Sequence, residues 1–272
     1  MRDPGAFVPP MLGVTADRAV DRPGWRLELK WDGWRAMVSF EGSLKVWSRR
    51  GHSLLGRYPV LEELTESLRA PAVVDGELVG WADGRPSFEA LAHPGADVVL
   101  VAFDCLYDGA GWHLHKPLSE RLQRLADVVR PHRRVVLARP LDGDAATLLA
   151  NCRELNLEGL MAKSLDGRYH PGRRSDVWQK FLARRREWFW GVGLNWDGHQ
   201  AWITLAEEHQ GRRRVVGRVA APVPDDLMRR DGTAASWAAV PRRVRVEFRA
   251  RTADGHLRHP VFRGFQDGDD AP

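Results

Sequence analysis

Residues 25–35 read Trp25-Arg26-Leu27-Glu28-Leu29-Lys30-Trp31-Asp32-Gly33-Trp34-Arg35. Apolar and polar side chains alternate as far as Asp32, the period-2 pattern of a half-buried strand. Such a strand carries Glu28, Lys30 and Asp32 on one face until Gly33 breaks it. An amine between two carboxylates beside a glycine turn makes Lys30 a candidate nucleophile. Lysine is also scarce here: of the 41 basic residues only Lys30, Lys45, Lys116, Lys163 and Lys180 are lysine, and 36 are arginine. A guanidinium cannot act as a nucleophile, so the remaining lysines mark places that need a deprotonatable amine or a compact charge. Codon bias is the other explanation of the same ratio.

Outward from this stretch, residues 34–40 and 44–49 read as two strands around Glu41-Gly42, followed by a helix near 59–69 that starts at Pro59 and carries Val60, Leu61, Leu64 and Leu68. A strand over 72–81 points Asp75 and Glu77 the same way, although Asp75 itself reads as a residue that merely terminates a turn. Ser87 caps a short helix, 97–107 is an apolar strand, and helices near 117–129 and 144–155 flank a strand at 134–139. Further strands at 157–163 and 177–183 enclose a Gly/Arg-rich loop over 166–176. Strands interleaved with helices define an α/β (α+β) domain over residues 1–186. Beyond Arg184-Arg185-Arg186 the pattern becomes short strands (188–196, 200–207, 213–220, 243–251) with a helical turn at 225–230. That pattern suits a small all-β barrel of the oligonucleotide-binding (OB-fold) kind over residues 187–272.

The 43% hydrophobic content is that of an ordinary globular chain. No apolar run approaches the ~20 residues of a membrane span, and MRDPGAFVPP lacks the apolar core of a signal peptide. A cytoplasmic monomer, associated with the nucleoid when on DNA, is therefore expected. Cys105 and Cys152 show no metal-binding or disulfide spacing, and His113 with His115 reads as surface. A formal charge of +5 fits a polyanionic partner. The acidic end, Asp267–Pro272, reads as a frayed tail.

Nucleotidyl transfer to an amine needs a lysine that can lose its proton, placed in line with a phosphate. It also needs cations and a divalent metal to spread the charge on the phosphate oxygens, and carboxylates to hold that metal. The sequence offers Lys30, the carboxylates Asp32, Glu77 and Glu158, and the cations Arg35, Arg49, Lys163 and Lys180.

Glu28 to Arg35 resembles the KxDGxR motif of ATP-dependent DNA ligases and mRNA capping enzymes, and the later motifs of that superfamily follow in order. Ser48-Arg49-Arg50-Gly51-His52, Val74-Asp75-Gly76-Glu77-Leu78, Phe103-Asp104-Cys105-Leu106, Glu158-Gly159-Leu160-Met161-Ala162-Lys163 and Trp178-Gln179-Lys180 each resemble a family motif. Leu257-Arg258-His259-Pro260-Val261-Phe262-Arg263-Gly264 is similar to the end of the ligase module in bacterial end-joining enzymes. The resemblance implies that Lys30 attacks ATP to form lysyl-AMP, with AMP passing to a 5′-phosphate before a 3′-hydroxyl seals the strand. It further implies that Glu28, Lys30, Arg35, Arg49, Glu77, Phe103, Lys163 and Lys180 bind the nucleotide, Phe103 by stacking on adenine. Asp32, Glu77 and Glu158 would hold Mg²⁺ or Mn²⁺. Nicked or broken duplex DNA would be the substrate, and end-binding and polymerase proteins the partners.

Two departures stand out. Leu182 occupies the place of a second lysine in the fifth motif, and the closing Arg-x-Asp-Lys pattern appears as Gln266-Asp267-Gly268-Asp269, with Arg263 as the nearby substitute. A degenerate ligase fold that only binds DNA ends, and an RNA ligase or capping enzyme, therefore stand as the alternatives to a DNA ligase.

Overall fold

A computed structural model describes residues 3–16, 22–69, 71–196, 199–223, 242–252 and 254–266. The chain divides into two compact units, Met1–Leu182 and Ala183–Pro272.

The first unit contains two sheets. One has the order β4-β3-β5-β7-β8, built from β3 (Trp34–Glu41), β4 (Ser43–Ser48), β5 (Ala72–Ala82), β7 (Val98–Tyr107) and β8 (Val135–Leu137). The short β6 (Arg85–Pro86) hangs from β5. The other sheet has the order β1-β10-β9-β2, from β1 (Leu12–Thr15), β2 (Trp25–Leu29), β9 (Gly159–Ser164) and β10 (Arg174–Leu182).

Alternation along the strands of the larger sheet separates two cores. Ala36, Val38, Val74, Leu78, Leu100 and Ala102 face a core that includes Leu125 and Val128 of helix α1 (Leu118–Val128). The neighbours of opposite parity, Met37, Val73, Val101 and Phe103, join Met11, Tyr169 and Trp178 in the second core. Helix α1 places Arg121 in its apolar stripe fully buried; Asp104 accepts two hydrogen bonds from it, at 2.7 and 2.9 Å. Helix α2 (Ala145–Glu154) is capped by Asp144, whose carboxylate accepts from the Thr147 N–H.

The structure shifts several of the expected elements. The 59–69 segment is a 3₁₀ helix over Pro59–Glu66 that buries Leu61 and Leu64. Strand β10 begins at Arg174, inside the expected loop, because β1 pairs with Arg174 and Ser175 before rejoining it at Gln179 and Lys180. Strand β2 ends at Leu29, so the expectation of Glu28, Lys30 and Asp32 on one strand face fails at its last member. Lys30 still donates its backbone N–H to Gly159 O at 2.9 Å, but the chain then turns away at Gly33. A Cβ on Gly33 would lie 2.3 Å from Leu78 O of β5, so only glycine lets the turn pass this close.

The second unit holds a five-stranded antiparallel sheet of order β13-β12-β11-β14-β17: β11 (Arg185–Trp196), β12 (Ala201–His209), β13 (Arg212–Ala221), β14 (Arg242–Phe248) and β17 (Val261–Phe265). A separate pair is formed by β15 (Ala250–Arg251) and β16 (Leu257–Arg258). The 186/187 boundary expected from sequence falls inside β11. Phe189, Ile203, Leu205, Val219, Val244 and Phe248 make its core. The turn expected at 225–230 and the acidic tail lie outside the described residues. Both cysteines are buried free thiols. Among the described residues no helix is long and apolar enough to cross a membrane.

Candidate active site

Cross-strand register brings the site together within the first unit. On the larger sheet Arg35 pairs with Glu77, Met37 with Asp75, and Glu77 with Val101, so Arg35, Asp75, Glu77 and Phe103 belong to one face. On the smaller sheet Glu28 pairs with Met161 and Met161 with Lys180, while Arg26 pairs with Lys163 and Lys163 with Trp178. Residues from both sheets line one cavity of about 940 Å³, within the range of small-molecule sites (~300–1,000 Å³). Glu28, Lys30, Arg35, Arg49, Glu77, Phe103, Lys163 and Lys180 all line it, together with Trp31, Arg50, Met161, Arg174 and Trp178.

The Lys30 amine lies 2.7 Å from Glu158 Oε2, with the two side chains 22% and 13% exposed, so the pair remains reachable from solvent. Glu158 thus enters the site through its ion pair with Lys30. Asp32 sits in the turn beyond the strand and is not part of the cavity lining. Among the described residues no group of three or more His, Cys, Asp or Glu side chains is arranged as a metal cage. The expected set Asp32, Glu77 and Glu158 is therefore not gathered as a three-carboxylate site. Two carboxylates and a triphosphate are nevertheless a donor set that suits Mg²⁺, which keeps several waters and seldom sits in an all-protein cage.

Glu77 is half-buried, and its pKa is pushed up to about 7 by burial, against the opposing pull of Arg35 and Lys30 and with reinforcement from Glu158. Burial, then Arg174 and Lys30, push the Lys180 amine down. Burial also lowers Lys163, against the pull of Glu28. Glu28 is a shared acceptor: it takes 2.6 Å hydrogen bonds from Arg26 Nε and from Lys163 Nζ. The Lys163 amine in turn lies 4.1 Å from the Phe103 ring centroid, and the Arg35 guanidinium 4.7 Å from it. Phe103 is thus at once a core side chain, 8% exposed, and part of the cavity wall.

Asp75 is not a turn residue. It lies in the middle of β5, fully buried, and accepts from Arg35 Nε at 2.5 Å and Arg35 Nη2 at 2.6 Å. The Tyr169 hydroxyl donates to the same carboxylate at 2.5 Å and accepts from Met11 N–H at 2.9 Å. For Arg35, burial would favour loss of the proton, but Asp75 overrides it and raises the pKa, so the guanidinium stays charged. Tyr169 and Arg121 escaped sequence reasoning, and Asp104, Met161 and Trp178 stood inside the quoted motifs without an assigned role. Tyr169 stood in a segment read as loop, and the contacts of the others carry no local signal until strand register is known.

Two facing sheets with a lysine amine in a cation-lined cavity are the architecture of a nucleotidyltransferase-type ligase domain. The family model for the ATP-dependent DNA ligase domain matches residues 10–181, and the chain belongs to that family. Among its relatives, a multifunctional non-homologous end joining protein LigD of Mycolicibacterium smegmatis is 27% identical over 89% of this chain and 36% of that protein. A DNA ligase of Natronomonas pharaonis is 32% identical over 79% of this chain and 44% of its own length. A solved structure of mycobacterial DNA ligase D complexed with ATP and MES is 26% identical, with a TM-score of 0.60, covering 96% of this chain and 95% of that one. The chain therefore spans less than half of these two curated relatives' length.

Proposed function

We propose that the chain is an ATP-dependent DNA ligase that seals 5′-phosphate/3′-hydroxyl breaks through AMP held on Lys30. The observation that carries this reading is the Lys30–Glu158 pair at 2.7 Å on the rim of a cavity walled by Arg35, Arg49, Lys163 and Lys180. In the first step the Lys30 amine, having released its proton to the solvent that reaches it, attacks the α-phosphorus of ATP; a P–N bond forms, the P–O bond to pyrophosphate breaks, and pyrophosphate leaves. Lys180, with Lys163 behind it, offsets charge on the α-phosphate oxygens. Arg35, held by Asp75, and Arg49 meet the nucleotide or the phosphate at the break. Phe103 and Met161 flank the base, and Glu28 and Glu77 serve the ribose and the metal side of the site. Glu77 and Glu158 would hold Mg²⁺ or Mn²⁺, which supplies Lewis-acid stabilisation of the phosphates, with Asp32 orienting the turn that carries Lys30.

The second unit, with residues 187–272 as the domain, is read as an OB-fold barrel. Its five antiparallel strands and the approach of β13 to β17 support that assignment. Broken duplex DNA is the substrate in this reading, supported by relatives named for non-homologous end joining; end-binding and polymerase proteins as partners, and cytoplasmic action as a monomer, belong to the same proposal. The second reading, a fold that binds DNA ends without joining them, rests on the missing basic residues at Gln266 and Leu182. Arg263, the expected substitute, donates to Glu247 at 2.9 Å. The test is sealing of a nicked duplex with ATP and Mg²⁺ or Mn²⁺. Joining by the native chain that is lost in Lys30→Ala supports the ligase, and retained duplex binding without joining supports the second reading.

A further inference from the structure

The outward face of the second unit's sheet carries an arginine–tryptophan surface that the chemistry above does not use. In the β11–β14 register Trp188 pairs with Arg245 and Trp190 with Arg243. On the other side of β11, Trp190 pairs with Ala206 and Asn195 with Trp202. A β-bulge between Gly191 and Gly193 resets the alternation of β11, so that Trp188, Trp190 and Asn195, with Trp202 of β12 and Arg243 and Arg245 of β14, all point away from the core formed by Phe189, Ile203, Val244 and Val246. Trp188 is 40% exposed, Trp202 42% and Val215 49%.

The arginines are stacked rather than dispersed. Arg213 and Arg243 lie 4.6 and 4.8 Å from the Trp190 ring centroid, and Arg245 lies 5.8 Å from that of Trp188. An indole beneath a guanidinium fixes its plane and leaves its N–H edge free to meet a phosphate. Arg218 is exposed on the same face of β13, paired with Thr204. Opposing charge is small: Glu208 is exposed beside Arg213, whereas Glu247 is already bound by Arg184, Arg186 and Arg263.

A face of positive charge alone would fit any polyanion. Tryptophan rings left open at both ends of a cationic stripe fit one in which unpaired bases are available to stack, because duplex bases are already stacked on one another. We infer that this face binds a single-stranded nucleic-acid segment: Trp188 and Trp202 each take a base, and Arg213, Arg243 and Arg245 take the phosphates between them. The seven steps from Trp188 to Asn195, the partner of Trp202, span at most about 23 Å along a strand at ~3.3 Å per residue. That length matches ~6–7 stacked nucleotides at about 3.4 Å each, inside the ~4–16 nucleotide range of single-strand sites on small barrels. The inference deepens the DNA-joining reading by adding an unpaired strand to the substrate, and it rests on residues of the second unit alone.

The test is fluorescence anisotropy of the full chain with a labelled mixed-sequence DNA strand of about 16 nucleotides, and with the same sequence as a blunt duplex. AMP loading of each variant is measured in parallel, so that failure of this site and failure of the ligase reading are told apart. Trp188→Ala and Trp202→Ala are each expected to weaken single-strand binding on the order of tenfold and to leave duplex binding and AMP loading unchanged. Trp188→Phe and Trp202→Phe keep a ring and are expected to retain most of the affinity, which separates stacking from any folding defect. Arg245→Glu should weaken binding and flatten its salt dependence. Unchanged single-strand affinity in the double alanine variant, or a native chain that binds only the duplex, overturns the proposal.

Discussion

Tyr169→Phe removes one oxygen and leaves the ring, so its effect isolates the hydroxyl that braces Asp75. In the native chain that hydroxyl donates to Asp75 Oδ2 at 2.5 Å and accepts from the buried Met11 N–H at 2.9 Å. Burial first, then the Asp75 charge, push its pKa well up, so it remains a donor at any working pH. A hydrogen bond to a charged group contributes about 1.5–3 kcal/mol, and a buried N–H left without a partner costs about 1–3 kcal/mol. Partial relaxation brings the expected loss to roughly 2–4 kcal/mol, because the edge-on Tyr169–Trp178 contact at 5.9 Å survives. At about 2–4 °C per kcal/mol for a unit of this size, the first unit should melt roughly 5–15 °C lower. Thermal unfolding followed by circular dichroism measures this, with Tyr107→Phe as a control, since that hydroxyl makes only an exposed 3.4 Å contact. The rate of AMP loading should fall as well, because Asp75 holds Arg35 less rigidly. A Tyr169→Phe melting point within about 2 °C of the native value would refute the bracing argument.

Three further outcomes follow from the same geometry. Glu77 has its pKa raised to about 7 from an ordinary 4.5, so its contribution to stability is complete below pH 4.5 and is lost as pH rises through 7. Glu77→Gln should therefore be the more stable chain at pH 8, by up to ~3 kcal/mol, and show no advantage at pH 4.5; equal melting curves at pH 8 would contradict this. Glu247 has the opposite sign: burial would raise its pKa, but hydrogen bonds from Arg263, Arg184 and Arg186 pull it down to about 2. Its stabilisation is present above pH 4.5 and lost as pH falls toward 2, and Glu247→Gln should cost about 1–2 kcal/mol at pH 7, given how far solvent reaches its arginines. Gln266→Arg and Leu182→Lys each restore a cation where the family pattern has one, and each should speed AMP loading; single-turnover rates equal to the native chain's would show that these losses are compensated elsewhere.

The motif-bearing strands, the residues around the cavity and the change of texture near residue 184 were legible because each depends on local alternation or on a short motif, whereas the short strands β1, β16 and β17 were not expected. Lys30, Arg35, Glu77, Lys163 and Lys180 announce themselves by residue type and spacing. What sequence could not supply was register. Strand β2 stops at Leu29, and so Asp32 leaves the face that alternation gave it. Asp75, beside a glycine in the sequence, lies in mid-strand because β3 and β7 pair on either side of it. Tyr169 lies far from Asp75 along the chain, and only the fold brings its hydroxyl to that carboxylate. Trp178 has no periodic partner that would mark it as a wall of the site. The Glu247 cluster joins arginines from both ends of the second unit, a pairing no local pattern can express.

The central claim is that the amine at position 30 carries the nucleotide. The most direct measurement is intact mass followed by peptide mapping after incubation with ATP and a divalent cation. The account predicts a single added AMP on the peptide containing Lys30, absent in Lys30→Ala and released on adding a 5′-phosphorylated nick. An adduct on any other residue, or none under conditions where the native chain still joins DNA, would contradict it.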